Sequence, residues 1–240
     1  MLSYSLEGYI KNIKLIVFFS ISFLLAFLIP LFSPTPTYIA LGGIFLRTGS
    51  MFIDLTYQDI GLILLSLLSS LFLISFAIVA INLLIKSQRT LTNIRTEIIE
   101  GVEKYTLIVF WLYTMAFIIS LVVILISYEY NLQELIAPLF SLLVHLPLFY
   151  MPAAIVIDEM RPINAMKMSL YMIRKRFKYF VLFILVGWAL LSISDLFLIS
   201  LKSYFQWSSY VVLIINSLFI LPFLIILQTQ IYLTKYTILK

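Results

Sequence analysis

The chain has no cysteine and a single histidine, His145. The first absence removes disulfides, thiolate metal sites and a cysteine nucleophile. The second removes any multi-histidine metal centre. Charge is scarce too: 11% of the 240 residues are Asp, Glu, Lys or Arg, against about 25% in soluble chains. Glycine occurs seven times, and few of those positions fall in apolar runs, Gly187 among them. Helices that slide or break in transporters use glycine and small residues for close approach, so this scarcity disfavours a tightly packed, gated carrier. There is no Gly-rich phosphate loop, no His-Glu-x-x-His and no Gly-x-Ser-x-Gly. No catalytic residue, metal ligand or cofactor follows from the sequence, and the balance is against an enzyme.

What the chain has in excess is apolar length: 63% of it is hydrophobic. The apolar residues fall into six runs, Leu15 to Phe32, Ile60 to Ile85, Thr106 to Tyr128, Leu135 to Ile157, Tyr179 to Ser200 and Tyr210 to Leu233. About 20 such residues cross a bilayer as a helix. The expected fold is therefore all-α, a polytopic membrane protein with six transmembrane helices in three hairpins. A cleaved signal peptide is the competing reading of the first run, but no small-residue cleavage site follows it at Pro30 to Pro36.

The net charge of +5 is unevenly placed. With six spans and a cytoplasmic N-terminus, 14 of the 16 basic residues fall inside and only Arg47 and Lys202 outside. This bias orients the chain in the cell membrane with both termini cytoplasmic. It also accounts for the basic balance without nucleic acid. Trp207, Tyr204, Tyr128 and Tyr130 stand at expected outer ends, where an aromatic belt belongs.

Each odd-numbered span is expected to follow a cytoplasmic amphipathic helix. Leu2, Leu6, Tyr9 and Ile13 share one face of the first; Leu91, Ile94, Ile98, Val102 and Tyr105 recur at helical spacing in the second. In the third, Ile163, Met166, Leu170, Ile173, Phe177 and Phe180 form the apolar stripe, with Asn164, Lys167, Arg174 and Lys178 expected opposite. The chain then reads as a single membrane domain, residues 1–240, with a three-unit repeat at about 2–86, 91–157 and 163–235. Glu7-Gly8 before Leu15 and Glu100-Gly101 before Leu107 support it. Between the first two spans, Tyr38 to Phe52 is expected to form a short helix on or in the membrane surface.

The stretch from Pro152 to Phe180 ties these features together. An apolar run stops at Ile157, Asp158-Glu159 follow, Pro162 opens the amphipathic segment, and a basic cluster leads into the next span. Asp158-Glu159 with Arg161 read as a helix-start device, since acids favour the dipole at an N-terminus. Lys167, Arg174, Lys175, Arg176 and Lys178 form the one dense basic cluster, a candidate for anionic lipid headgroups at about 1 kcal/mol per charge. The elbow resembles the membrane domain found with glycerophosphoryl diester phosphodiesterases and the related YciC-like integral membrane proteins. The matching positions are Pro152, Val156, Glu159, Pro162, Ala165, Ser169, Leu170, Arg176, Phe177 and Phe180. The resemblance implies a six-span architecture and an envelope or lipid role; the hydrolase's catalytic domain is absent from these residues.

Four polar groups lie inside expected spans: His145, Asp195, Asn82 and Asn216. Intramembrane ionisable groups are functional candidates, and these four would line a transporter or channel route if they converged. The alternatives are structural. His145 would bond a carbonyl freed by Pro147 or Pro138, Asp195 would pair with Lys202, and the amides of Asn82, Asn216, Gln228 and Gln230 would join helices. The leading expectation is a protein that organises lipid or a partner at the cytoplasmic leaflet. Its candidate partners are membrane lipids, other membrane subunits and a second copy of itself.

Overall fold

A computed structural model describes residues 2–32, 37–40, 43–46, 56–90, 93–130, 133–202 and 207–236. In chain order the helices are α1 Leu2–Lys11, α2 Ile13–Leu28, α3 Tyr57–Thr90, α4 Ile94–Glu129, α5 Gln133–Leu148, α6 Met151–Asp158, α7 Pro162–Lys175, α8 Phe177–Lys202, α9 Ser208–Ile215 and α10 Leu221–Leu233. Short 3-10 turns follow α2 and α10, and a π-helical turn, Asn216–Ile220, joins α9 to α10. Six stretches are long and apolar enough to cross a membrane: Ile13–Leu31, Tyr57–Thr90, Ile94–Ser127, Ile136–Asp158, Phe177–Ser200 and Ser208–Tyr236. The chain is a multispanning membrane protein.

Between the first two spans the expected short helix is replaced, where the chain is described, by a small antiparallel ladder. Strand β1, Thr37–Ala40, pairs with β2, Gly43–Leu46, from Thr37 opposite Leu46 to Ala40 opposite Gly43. Thr, Tyr, Ile and Phe at these positions favour extended backbone. The rest of Tyr38 to Phe52 lies outside the described residues, as do Arg47, Leu91, Tyr204 and Lys240.

The amphipathic segments do not all stand apart from their spans. The chain breaks at Asn12, whose side-chain amide donates to the Gly8 carbonyl at 3.0 Å and whose backbone N–H reaches Tyr9 O. Such local side-chain bonds compete with the helix ladder. It breaks again at Arg176, between α7 and α8. The second segment, by contrast, runs unbroken into the third span as the 36-residue α4. No proline interrupts it, and at 1.5 Å per residue α4 reaches about 54 Å, well beyond a hydrocarbon core of about 30 Å.

The chain forms two compact units, Met1–Ala77 with Val181–Leu227, and Ile78–Phe180 with Gln228–Lys240. In the first, α2 packs on the π-helical turn and buries Ile16, Phe19, Phe23 and Ala26. Tyr9 meets Phe223 edge-on at 6.0 Å between ring centres. In the second, α4 packs on α5, and α7 packs on α5 and α6. Three of its segments are buried nearly all round: Val79 to Ile85, Met151 to Val156, and Ile231 to Leu233. A helix apolar and buried on every side is a core helix. Their polar ends carry the site described next.

Candidate functional site

The elbow begins with a repaired break. After Leu148 the α-helical ladder stops, and α6 restarts at Met151 with Pro152 near its first turn. In an unbroken helix the Tyr150 N–H would bond the Leu146 carbonyl. Here the Ser169 hydroxyl, from α7, occupies that gap: its oxygen accepts from Tyr150 N at 2.9 Å and it donates to Leu146 O at 3.2 Å. The Phe149 carbonyl is met by the Gln228 side-chain amide of the second unit's last segment. Side-chain insertion of this kind is a recognised cause of helix kinks. Gln228 therefore joins helices, as expected of such amides.

The acids that follow are not a helix-start device. Asp158 ends α6, and Glu159 caps its C-terminus in the left-handed region at φ 54. The N–H groups of Glu159 and Met160 both turn back to Ala154 O, closing the helix as in a Schellman turn. Pro162 then starts α7, with Arg161 extended before it and making no side-chain cap, as the residue before a proline prefers. Acids at a helix C-terminus oppose the dipole, and cations from other helices offset this. The Glu159 carboxylate takes Lys86 at 3.1 Å and Lys104 at 3.0 Å. Lys86 also takes Glu97 at 3.1 Å. These two lysines hold the Glu159 carboxyl down at about 2. Asp158 accepts from Lys235, Tyr232 and Tyr236. The ends of α3, α4, α6 and α10 are thus tied through two adjacent acids.

Beside this network lies a pocket of about 310 Å³ lined by Lys86, Arg89, Thr90, Ile157, Leu233 and Tyr236. The Arg89 guanidinium sits 4.8 Å from the Tyr236 ring centre, a cation–π distance.

The basic cluster divides. Lys167, Arg174, Lys175 and Lys178 are exposed, and Lys167, Arg174 and Lys178 make no ion pair among the described residues. Lys175 reaches the Tyr171 hydroxyl at 2.9 Å. Arg176 differs: it is half-buried and its Nη2 donates to Thr234 O at 3.4 Å.

The packed face of α7 is also not the apolar stripe. Its buried residues are Ala165, Ser169 and Met172, while Ile163 is 69% and Leu170 45% exposed. At about 100° per residue, Lys167 and Arg174 fall beside Ile163 and Leu170, not opposite them. In the first segment the expected stripe is divided: Tyr9 is buried together with Ser5, while Leu6 and Ile13 are exposed.

The four intramembrane polar residues are divided between the units. In the second, Asn82 is buried, donates to Ile78 O at 2.8 Å and accepts from Thr229 Oγ1 at 2.8 Å. His145 is exposed and its Nδ1 lies 2.7 Å from Ser141 O. That carbonyl is one turn back on the same helix, not one freed by Pro147 or Pro138. In the first unit, Asn216 is buried at the head of the π-helical turn and Asp195 is half-buried on α8. The side chain of Lys202, expected to pair with Asp195, lies outside those described. Among the described residues, no three His, Asp or Glu side chains gather where a metal could be held.

Sequence reasoning missed Lys235, Tyr232, Tyr236 and Arg89 as members of one cluster. They are separated from the elbow by more than fifty residues, and their one sequence signal is a position at the polar end of an apolar run. No protein-family model, curated protein or solved structure matches this chain.

Proposed function

We propose that this is a non-enzymatic membrane protein that organises lipid, or a membrane partner, at the cytoplasmic leaflet of the cell membrane. The observation that carries the reading is the outer face of α7. It presents Ile163 and Leu170 uncovered beside Lys167 and Arg174, cations with no acidic partner among the described residues. Apolar side chains bordered by free cations suit the boundary between acyl chains and anionic headgroups. The positive-inside bias would put this face, and both termini, on the cytoplasmic side. The likeness of the elbow to the membrane domain of glycerophosphoryl diester phosphodiesterases and YciC-like proteins supports an envelope or lipid role. Of the four residues of the alternative polar route, Asn82 is engaged by Ile78 O and Thr229 Oγ1, and His145 by the Ser141 carbonyl.

The test is the lipid shell of the reconstituted full chain. In mixed phosphatidylglycerol and phosphatidylcholine bilayers, the anionic lipid should be enriched at the protein boundary. Changing Lys167, Arg174, Lys175 and Lys178 together to Gln should erase most of that enrichment. A shell that copies the bulk composition, before and after the change, would reject the reading.

A further inference from the structure

We propose a second, defined anion site: the pocket among Lys86, Arg89, Thr90, Ile157, Leu233 and Tyr236 holds a phosphate group, that of an anionic phospholipid headgroup or a free phosphate. It rests on the membrane-spanning reading, and not on the lipid-organising role of the α7 face.

The lining residues come from the ends of three candidate spans. Thr90 closes Tyr57–Thr90, Ile157 is next to last in Ile136–Asp158, and Tyr236 closes Ser208–Tyr236. The cavity lies where apolar spans give way to polar residues, and basic pockets between transmembrane helices bind anionic headgroups. The volume, about 310 Å³, falls at the lower end of small-ligand sites. Its chemistry is two-sided: the cations Lys86 and Arg89 on one part, Ile157 and Leu233 on the other, with the Thr90 and Tyr236 hydroxyls already donating to Lys86 O and Asp158.

Charge bookkeeping leaves Arg89 to the ligand. Glu97 and Glu159 face Lys86, and Glu159 also faces Lys104. Asp158 faces Lys235 and the two tyrosines. These three acids meet three lysines. Arg89, exposed in the last turn of α3, makes no ion pair among the described residues. The contact with the Tyr236 ring at 4.8 Å holds the guanidinium beside the pocket, and a guanidinium fork matches two phosphate oxygens.

The experiment uses the full chain in neutral detergent and titrates dioctanoyl phosphatidylglycerol, dioctanoyl phosphatidylcholine and inorganic phosphate. Thermal stability and native mass spectrometry are the readouts. Phosphatidylglycerol should bind saturably and raise the melting temperature, and phosphatidylcholine should do so far less. Arg89→Gln should weaken binding by tenfold or more, as should Thr90→Tyr, which fills the space without changing charge. Lys14→Gln, an exposed cation on α2 outside both proposed sites, should leave it within twofold. Competition by millimolar inorganic phosphate supports the pocket with free phosphate as its ligand; no competition supports it with the lipid headgroup. Binding within twofold of the unsubstituted chain in both pocket variants would overturn the proposal. An equal loss in Lys14→Gln would overturn it too, since binding would then follow net charge and not the pocket.

Discussion

At the scale of single residues, Ser169 and Glu159 each resolve a local conflict. The Ser169 hydroxyl supplies one donor and one acceptor to a broken helix rung, at a buried position. Ser169→Ala would leave the Tyr150 N–H without its partner, while the Leu146 carbonyl would keep the Phe149 N–H at 3.2 Å. An unpaired buried group costs about 1–3 kcal/mol. Thermal unfolding in detergent should show a loss of that order, whereas Ser200→Ala, whose hydroxyl is exposed and bonds Phe197 O, should change little. Glu159 holds a left-handed backbone that favours glycine, and its carboxylate grips two lysines. Its folded value near 2 lies below the ordinary 4.5. The pair therefore contributes fully above about pH 4.5 and is lost as pH falls from there towards 2. With half the side chain exposed, the contribution is only about 0.2–1 kcal/mol. Glu159→Gln should remove this acid dependence, as read from melting temperature against pH.

At the scale of helices, close approach is concentrated where the second unit is most buried. A Cβ on Gly101 would lie 2.4 Å from Leu83 Cδ2, whereas one on Gly8 would meet nothing within 4 Å. The two glycines hold matching places in the sequence likeness between the first and second segments, yet their surroundings differ. Gly101→Ala should lose about 1–3 kcal/mol to overpacking against about 0.5–1 kcal/mol gained in helix propensity, a net destabilisation partly recovered in combination with Leu83→Ala. Gly8→Ala should instead stabilise by about 0.5–1 kcal/mol through helix propensity. Equal effects of the two substitutions would show that Gly101 is not pressed against Leu83. The inverted face of α7 belongs to this scale as well. In water an amphipathic helix turns its apolar stripe to the protein. Beside a bilayer lipid can cover that stripe, and small residues such as Ala165 and Ser169 make the close protein contacts.

At the scale of the whole molecule, orientation is the property most open to direct measurement. The chain has no cysteine, so single substitutions give clean labelling sites. Tyr57, 96% exposed at the start of α3, and Lys175, exposed at the end of α7, should report opposite faces. With membrane-impermeant maleimide on intact cells, Tyr57→Cys should react and Lys175→Cys should react only after permeabilisation. Labelling of both from the same side would refute the six-span plan.

The six spans, the turn at Pro162 and the exposed cations of the elbow were legible in the amino-acid order, because hydrocarbon length and charge are properties of a run. Arg176 was grouped with those cations and instead reaches Thr234 O. Asp158 and Glu159 were visible as acids after a span, but their lysine and tyrosine partners lie 55 to 78 residues away. Sequence by itself determined that the chain crosses a membrane and where it leaves it. Tertiary structure alone decided which side of each amphipathic helix meets protein and which charges meet each other. Burial and Coulomb attraction act on distances in space, and an apolar pattern that both lipid and protein can satisfy does not choose between them.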